Sequence, residues 1–175
     1  ALGIVPNPTT ILLRRLMMTG QMIQSHVLHL FFLALPDYIG LDRATELAEK
    51  DPKAFQRALR LKEVSDEIAF CIAGRNVHPT TTTIGGFHKI PDKGSLQRLL
   101  KMLKKSSSDA SWTVRLFNSL EYPDLDASLE LLSLKGDGYS IYDGDTISSS
   151  RNDDTSLKGY NEAIEEEVRD CSTAK

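Results

Sequence analysis

Apolar residues recur along the first 35 positions without leaving a polar side. Leu12, Leu13, Leu16, Met17, Ile23, Val27, Leu30, Phe31 and Leu35 fall on every face of the helix that their spacing predicts. Asn7-Pro8 supplies an N-cap followed by proline in the first turn, where a missing N–H does no harm. Pro36 is expected to end the helix at Leu35, because it cannot continue the hydrogen-bond ladder and restricts the residue before it. Such a helix is about 40 Å long. A helix that is apolar all round is covered all round, so this one is expected at the centre of a bundle.

The cap signal returns at Asp51-Pro52, and Gly74 is a stop in the position where helices turn left-handed. Between them Phe55, Leu59, Leu61, Val64, Ile68, Phe70 and Ile72 point inward, with Arg57, Arg60, Lys62, Glu63, Asp66 and Glu67 towards solvent. Residues 75–91 read as a loop or extended segment, with a β-branched run, two glycines and Pro91. A third helix is expected over Ser95–Leu120, with Leu96, Leu99, Leu100, Leu103, Trp112, Leu116 and Phe117 inward and a weak point at Ser106–Ser108.

Past Pro123 the period changes. Leu129–Leu134 and Tyr139–Tyr142 predict short antiparallel strands, with turns at Gly136-Asp137-Gly138 and Asp143-Gly144-Asp145, and Tyr160–Asp170 predicts a last acidic helix. The fold class is α+β and helix-dominated: a long buried central helix in a bundle plus a small antiparallel β element. Residues 1–122 form the helical portion and 123–175 a small β/α extension of the same domain. No internal repeat is present.

The composition is that of an ordinary globular chain. It has 175 residues, 41% hydrophobic and 26% charged, enough for one domain or a large piece of one. A net charge of −3 gives no reason to expect nucleic acid or an anionic membrane as partner. Cys71 and Cys171 form no Cys-x-x-Cys pair, which fits a reducing, cytoplasmic setting and no self-contained cysteine metal site. Arg14, Arg15, Gln21, Gln24, Ser25, His26 and His29 interrupt the apolar run 11–35, so no membrane span is expected. The chain opens Ala-Leu-Gly-Ile-Val-Pro without a basic segment leading into an apolar one, and no signal peptide is expected.

His26 and His29 are three apart on the first helix and project from one side of it. A buried imidazole must find a partner, so the pair reads either as satisfied core histidines or as polar groups around a metal site whose ligands lie elsewhere. No third ligand is within helical reach of them. Arg75 and His78 straddle the Gly74 stop on a segment pinned by Pro79, and such loops present polar groups to partners. The plain alternative is that Arg75 pairs with an acid and His78 is merely exposed. Gly85-Gly86 is a tight turn or a close backbone approach rather than a phosphate fingerprint. The Asp-Gly pairs are turn chemistry, and Lys101, Lys104 and Lys105 are a solvated helix face. No nucleophile–base pair or paired carboxylate stands out, so no catalytic residue is assigned.

Several stretches nevertheless resemble, in order, the large (catalytic) subunit of nickel–iron hydrogenases. They are Leu2-Gly3-Ile4 with Leu13-Arg14-Arg15-Leu16, then Gln24-Ser25-His26-Val27-Leu28-His29, then Leu35-Pro36-Asp37-Tyr38, then Gly74-Arg75 through His78-Pro79 to Gly85-Gly86-Phe87. The match is dense to about Leu100 and thinner beyond Met102. The Gln-Ser-His and Leu-Pro-Asp-Tyr combinations look more like the cytosolic multisubunit hydrogenases than the membrane-bound uptake type.

The resemblance implies a parent that interconverts H2 with protons and electrons at a Ni-Fe centre. Its partners would be an iron–sulfur small subunit, with further electron-transfer subunits beyond it. The family holds nickel and iron with two cysteine pairs, in Arg-x-Cys-Gly-x-Cys and Asp-Pro-Cys-x-x-Cys motifs, and neither motif occurs here. The chain therefore looks like an internal fragment without metal ligands, inactive and cofactor-free by itself. By the same resemblance Ser25, His26 and His29 belong beside the metal site, with Ser25 departing from the Asp of many relatives. Arg75 and His78 would face the small subunit, close to its nearest cluster. The competing expectation is a truncated or degenerate relative that serves as a subunit-interaction scaffold.

Overall fold

The computed structural model describes residues 3–124, 129–136, 143–165, 167 and 170. They fall into two compact units, Ala1–Tyr122 and Pro123–Lys175. The expected Asp137-Gly138 turn, the expected strand Tyr139–Tyr142 and Cys171 lie outside the described residues.

The first unit is a helical bundle. Helix α1 spans Pro8–His29 and starts where predicted, with the Asn7 side chain accepting from the Thr10 N–H at 2.8 Å. It does not stop before Pro36. A π-helical turn at Leu30–Ala34 carries the chain into α2, Leu35–Tyr38, so that Pro36 falls in the first turn of a restarted helix, where its missing N–H is harmless. The π turn also lets two consecutive residues reach aromatic partners. Phe31 meets Phe117 edge-on at 5.9 Å, and Phe32 meets Phe55 at 6.0 Å.

A 3-10 turn at Ala44–Glu46 and a short α3, Leu47–Lys50, lead to α4, Pro52–Ala73. Asp51 caps α4 by accepting from the Lys53 and Ala54 N–H groups, and Gly74 ends it at φ +77°. Helix α5, Lys93–Asn118, is capped by Asp92. It runs unbroken through Ser106–Ser108, where the buried Ser106 hydroxyl donates back to the Leu103 carbonyl at 3.0 Å.

The central helix of the bundle is α4 and not α1, the one expected there. It packs against both α1 and α5 and buries Ala54, Ala58, Leu61, Val64, Ser65, Ile68, Ala69, Ile72 and Ala73. Small residues along this seam let α1 approach closely, and at Gly20 an added Cβ would stand 2.5 Å from Ile68 Cγ2. Helix α1 buries only Thr10, Leu13, Gly20 and Val27, and leaves Leu12 (61%) and Leu28 (41%) exposed; Leu33 of the π turn is also exposed (64%). Leu59, Phe70, Leu96 and Leu100, expected inward, are likewise exposed. Among the described residues no helix is covered on every side, so an apolar side chain off the packed faces stays in solvent.

In the second unit, strands β3 (Leu132–Lys135), β4 (Thr146–Ser149) and β5 (Thr155–Ser156) form an antiparallel sheet in that order. Leu134 pairs with Ile147 and Ile147 with Thr155, and Ile147 is buried. Gly144 lies where a Cβ would meet the Lys135 carbonyl oxygen at 2.5 Å, which explains the Asp-Gly-Asp choice. The last helix, α6, covers only Tyr160–Ala163, and Ile164 is already extended. The fold class is thus helix-dominated α+β with a small antiparallel sheet.

Candidate functional site

The outward face of α1 carries Ser25, His26 and His29 side by side, and all three are exposed. The reading of the histidines as core residues is therefore overturned, because α4 takes the opposite face, through Gly20 and Val27. The His26 Nδ1–H donates to the Met22 carbonyl at 2.8 Å. That bond assigns the tautomer and leaves Nε2 as the outward nitrogen.

Next to this face, Gln24 turns towards α4. Its Nε2–H donates to Asp66 Oδ1 at 2.7 Å, and the Lys62 ammonium reaches the same carboxylate at 2.5 and 2.6 Å. Asp66 and Lys62, expected towards solvent, are only about a quarter exposed in their side chains.

The second candidate group is a closed excursion of the chain. Gly74 leaves α4, and the chain returns when the Thr80 N–H donates to the Ala73 carbonyl at 2.9 Å and the Thr81 hydroxyl to Ile72 at 2.7 Å. Those bonds satisfy the last carbonyls of α4 and push Arg75, Asn76, Val77 and His78 into solvent. His78 is the only non-glycine at positive φ among the described residues, at +58°. A short hairpin follows, β1 (Thr82–Thr83) with β2 (Gly86–Phe87), turning at Gly85, φ +76°. Arg14 reaches the Thr83 carbonyl at 3.4 Å, and Phe87 packs on the cluster of Leu13, Ile68, Ile72 and Leu99.

These contacts put the loop at the α1 N-terminal end of the bundle. His26 lies about 18 Å further along α1 by helical rise. The structure therefore keeps Ser25, His26 and His29 together and sets Arg75 and His78 apart from them.

Sequence reasoning missed a charged clamp between α4 and α5. Asp109, 4% exposed, accepts from Arg57 Nη1 at 2.5 Å and from Arg60 through Nε at 2.7 Å and Nη2 at 2.9 Å, while the Arg57 guanidinium lies 4.8 Å from the Trp112 ring centroid. The Arg60 hydrogen bond, with the charges of both arginines, holds the Asp109 carboxyl below the usual carboxylate range against the opposing effect of burial. Its only sequence signal is one acid, at position 109, in a helix whose charged residues are otherwise basic, facing arginines one turn apart. Beside the clamp is a cleft of about 390 Å³ lined by Glu63, Val64, Arg98, Met102 and Lys105. It contains no nucleophile–base pair.

No family model matches the chain. It is 33% identical to the alpha subunit of sulfhydrogenase 1 from Pyrococcus furiosus over 178 residues, covering 100% of this chain and 41% of that protein. The alpha subunit of sulfhydrogenase 2 from the same organism is 32% identical over 69% of this chain and 29% of its own length. An F420-non-reducing hydrogenase of Methanothermobacter thermautotrophicus is 29% identical over 78% of this chain and 29% of its own length. In fold the chain is similar to an NAD+-reducing [NiFe]-hydrogenase in the H2-reduced state, with a TM-score of 0.72 at 24% identity over 82% of this chain and 36% of that one.

The chain is a relative of hydrogenase large subunits, as its motifs implied, and its match to the first relative runs the whole length of this chain. It corresponds to a segment of such a subunit and spans about two fifths of the first relative's length.

The family's metal centre calls for soft thiolate donors. Among the described residues no three His, Cys, Asp or Glu side chains gather, and burial, helped by Glu67, pushes the Cys71 thiol up, away from the thiolate form. The described residues do not fit that group by themselves. Among them no helix is long and apolar enough to cross a membrane.

Proposed function

We propose that the chain is the middle segment of a nickel–iron hydrogenase catalytic subunit. The parent reversibly oxidises H2 and passes the electrons to an iron–sulfur small subunit, then to further electron-transfer subunits of a cytoplasmic complex. The observation that carries this reading is the match of the whole chain, at 33% identity, to a sulfhydrogenase alpha subunit. In this reading the segment is a wall and not a ligand set. Ser25, His26 and His29 line the surroundings of the Ni-Fe centre, whose thiolates come from other parts of the parent. The Arg75–His78 excursion faces the small subunit, where an imidazole N–H can donate to cluster sulfur and tune its potential. The segment alone binds no cofactor and turns over no hydrogen.

Reading the gene outward on both sides tests the proposal. Two Cys-x-x-Cys pairs in frame, with stoichiometric nickel in the purified complete subunit, are the expected result. An uninterrupted frame without those pairs would overturn it in favour of a non-catalytic interaction scaffold.

A further inference from the structure

Helix α1 poses a rotational problem. Apolar side chains surround it, and Leu12 and Leu28 remain exposed while Leu13 and Val27 are buried. Hydrophobic burial, which is proportional to area and has no direction, discriminates poorly among the faces such a helix could turn towards α4. Yet the face carrying Ser25, His26 and His29 points away from α4.

Two features break the degeneracy, and they stand one helical turn apart on the same side of α1. Gly20 is the position without a Cβ, which alone tolerates the approach of Ile68. Gln24 makes a directional bond to Asp66 Oδ1 at 2.7 Å, and Lys62, one turn earlier on α4, anchors both oxygens of that carboxylate. A part-buried carboxylate held by a cation on its own helix cannot swing to follow a rotated partner. A partner that turned away would leave it short of a hydrogen bond.

We infer that Asp66 and Lys62 are positioning residues: acting through Gln24, they set the rotation of α1 and so aim the Ser25–His26–His29 face. This is the registry use of a part-buried polar group in a helix pair. What that face is aimed at rests on the function proposed above, whereas the lock itself does not.

The test uses carbethoxylation of the 175-residue chain by diethylpyrocarbonate, with each histidine followed by mass spectrometry. His29 lies opposite Gly20 at the centre of the outward face and His26 about 60° to one side of it at 100° per residue, so rotation carries His26 towards or away from the packed side before His29 and changes the ratio of their rates. General loosening would instead speed both. His78 and His88, exposed and on another segment, serve as references. In a variant combining Gln24→Leu, Asp66→Leu and Lys62→Met, no partner is left unpaired, so thermal stability should stay near that of the parent chain. The His26 to His29 ratio should nevertheless shift by about threefold or more, since a hydrogen bond to a charged group is worth more than the roughly 0.65 kcal/mol that a threefold change represents. Asp66→Asn keeps an oxygen where both Gln24 and Lys62 donate, and should retain the original ratio.

An unchanged ratio in the all-apolar variant would overturn the lock and leave the hydrogenase assignment intact. In the complete subunit the same variant should alter the nickel electron paramagnetic signal at unchanged nickel content. A shifted histidine ratio with an unaltered nickel signal would keep the lock and overturn the placing of that face beside the centre.

Discussion

Gly20 of α1 and Ile68 of α4 are packed backbone against side chain, with the position a Gly20 Cβ would take only 2.5 Å from Ile68 Cγ2 and 2.9 Å from its Cβ. Ile68 is fully buried and cannot yield. Gly20→Ala should therefore destabilise the chain by about 1–3 kcal/mol despite alanine's better helix propensity. Chemical denaturation would measure it. Ile68→Ala in the same chain should recover part of the loss in a double-mutant cycle, and simple additivity would show that the contact is not shared.

The Asp109 clamp predicts a pH dependence. Its carboxyl is held below the ordinary value, so it adds stability that is fully present above an unfolded pKa of about 3.9 and lost as pH falls through the lower folded value. Asp109→Asn removes the charge and should cost about 1–3 kcal/mol at neutral pH, since both arginines keep partial access to water. Urea titrations at pH 7 and near pH 2.5 should show the difference between the two proteins shrinking on the acid side. A gap that stayed constant would mean the charge is not what the clamp uses.

His78 combines exposure with a left-handed backbone at φ +58°, a conformation that suits glycine. His78→Gly should leave stability unchanged or raise it by about 0.5–1 kcal/mol. On the function proposed above, the same change in the complete subunit should leave nickel content intact while altering electron transfer or the affinity for the small subunit. Loss of nickel with the subunit contact unchanged would move His78 from the subunit interface to the metal site.

Leu12, Leu28 and Leu33 are exposed on or just beyond α1, and Val5 just before it is 89% exposed. Exposed apolar side chains that join into a patch seek a partner, and the chain alone should bind a hydrophobic dye and self-associate in light scattering. Leu12→Gln with Leu33→Gln should reduce both signals. A monomer that ignores the dye would show that these leucines form no continuous patch.

Local rules in the sequence determined the starts of the three long helices and the stop of α4. Asn7, Asp51 and Asp92 cap with their own side chains, and Gly74 and Gly85 take the positive φ that only their type adopts freely. The ordered motifs from Leu13 to Phe87 were likewise enough to indicate the family. Only the tertiary structure decided which face of each helix is inside. α1 is apolar all round, so periodicity could not single out the Gly20–Val27 side, and of the two readings of His26 and His29 the one that put them in the core is excluded by their outward position. The continuation through Pro36 depends on a π turn whose reward is the pairing of Phe31 with Phe117 and of Phe32 with Phe55, residues far apart in the chain. Asp109 finds Arg57 and Arg60 across two helices. Capping and turn chemistry act within about four residues and are written locally. Face selection and ion pairing depend on what another helix brings to the contact, and that is known only once the helices are packed.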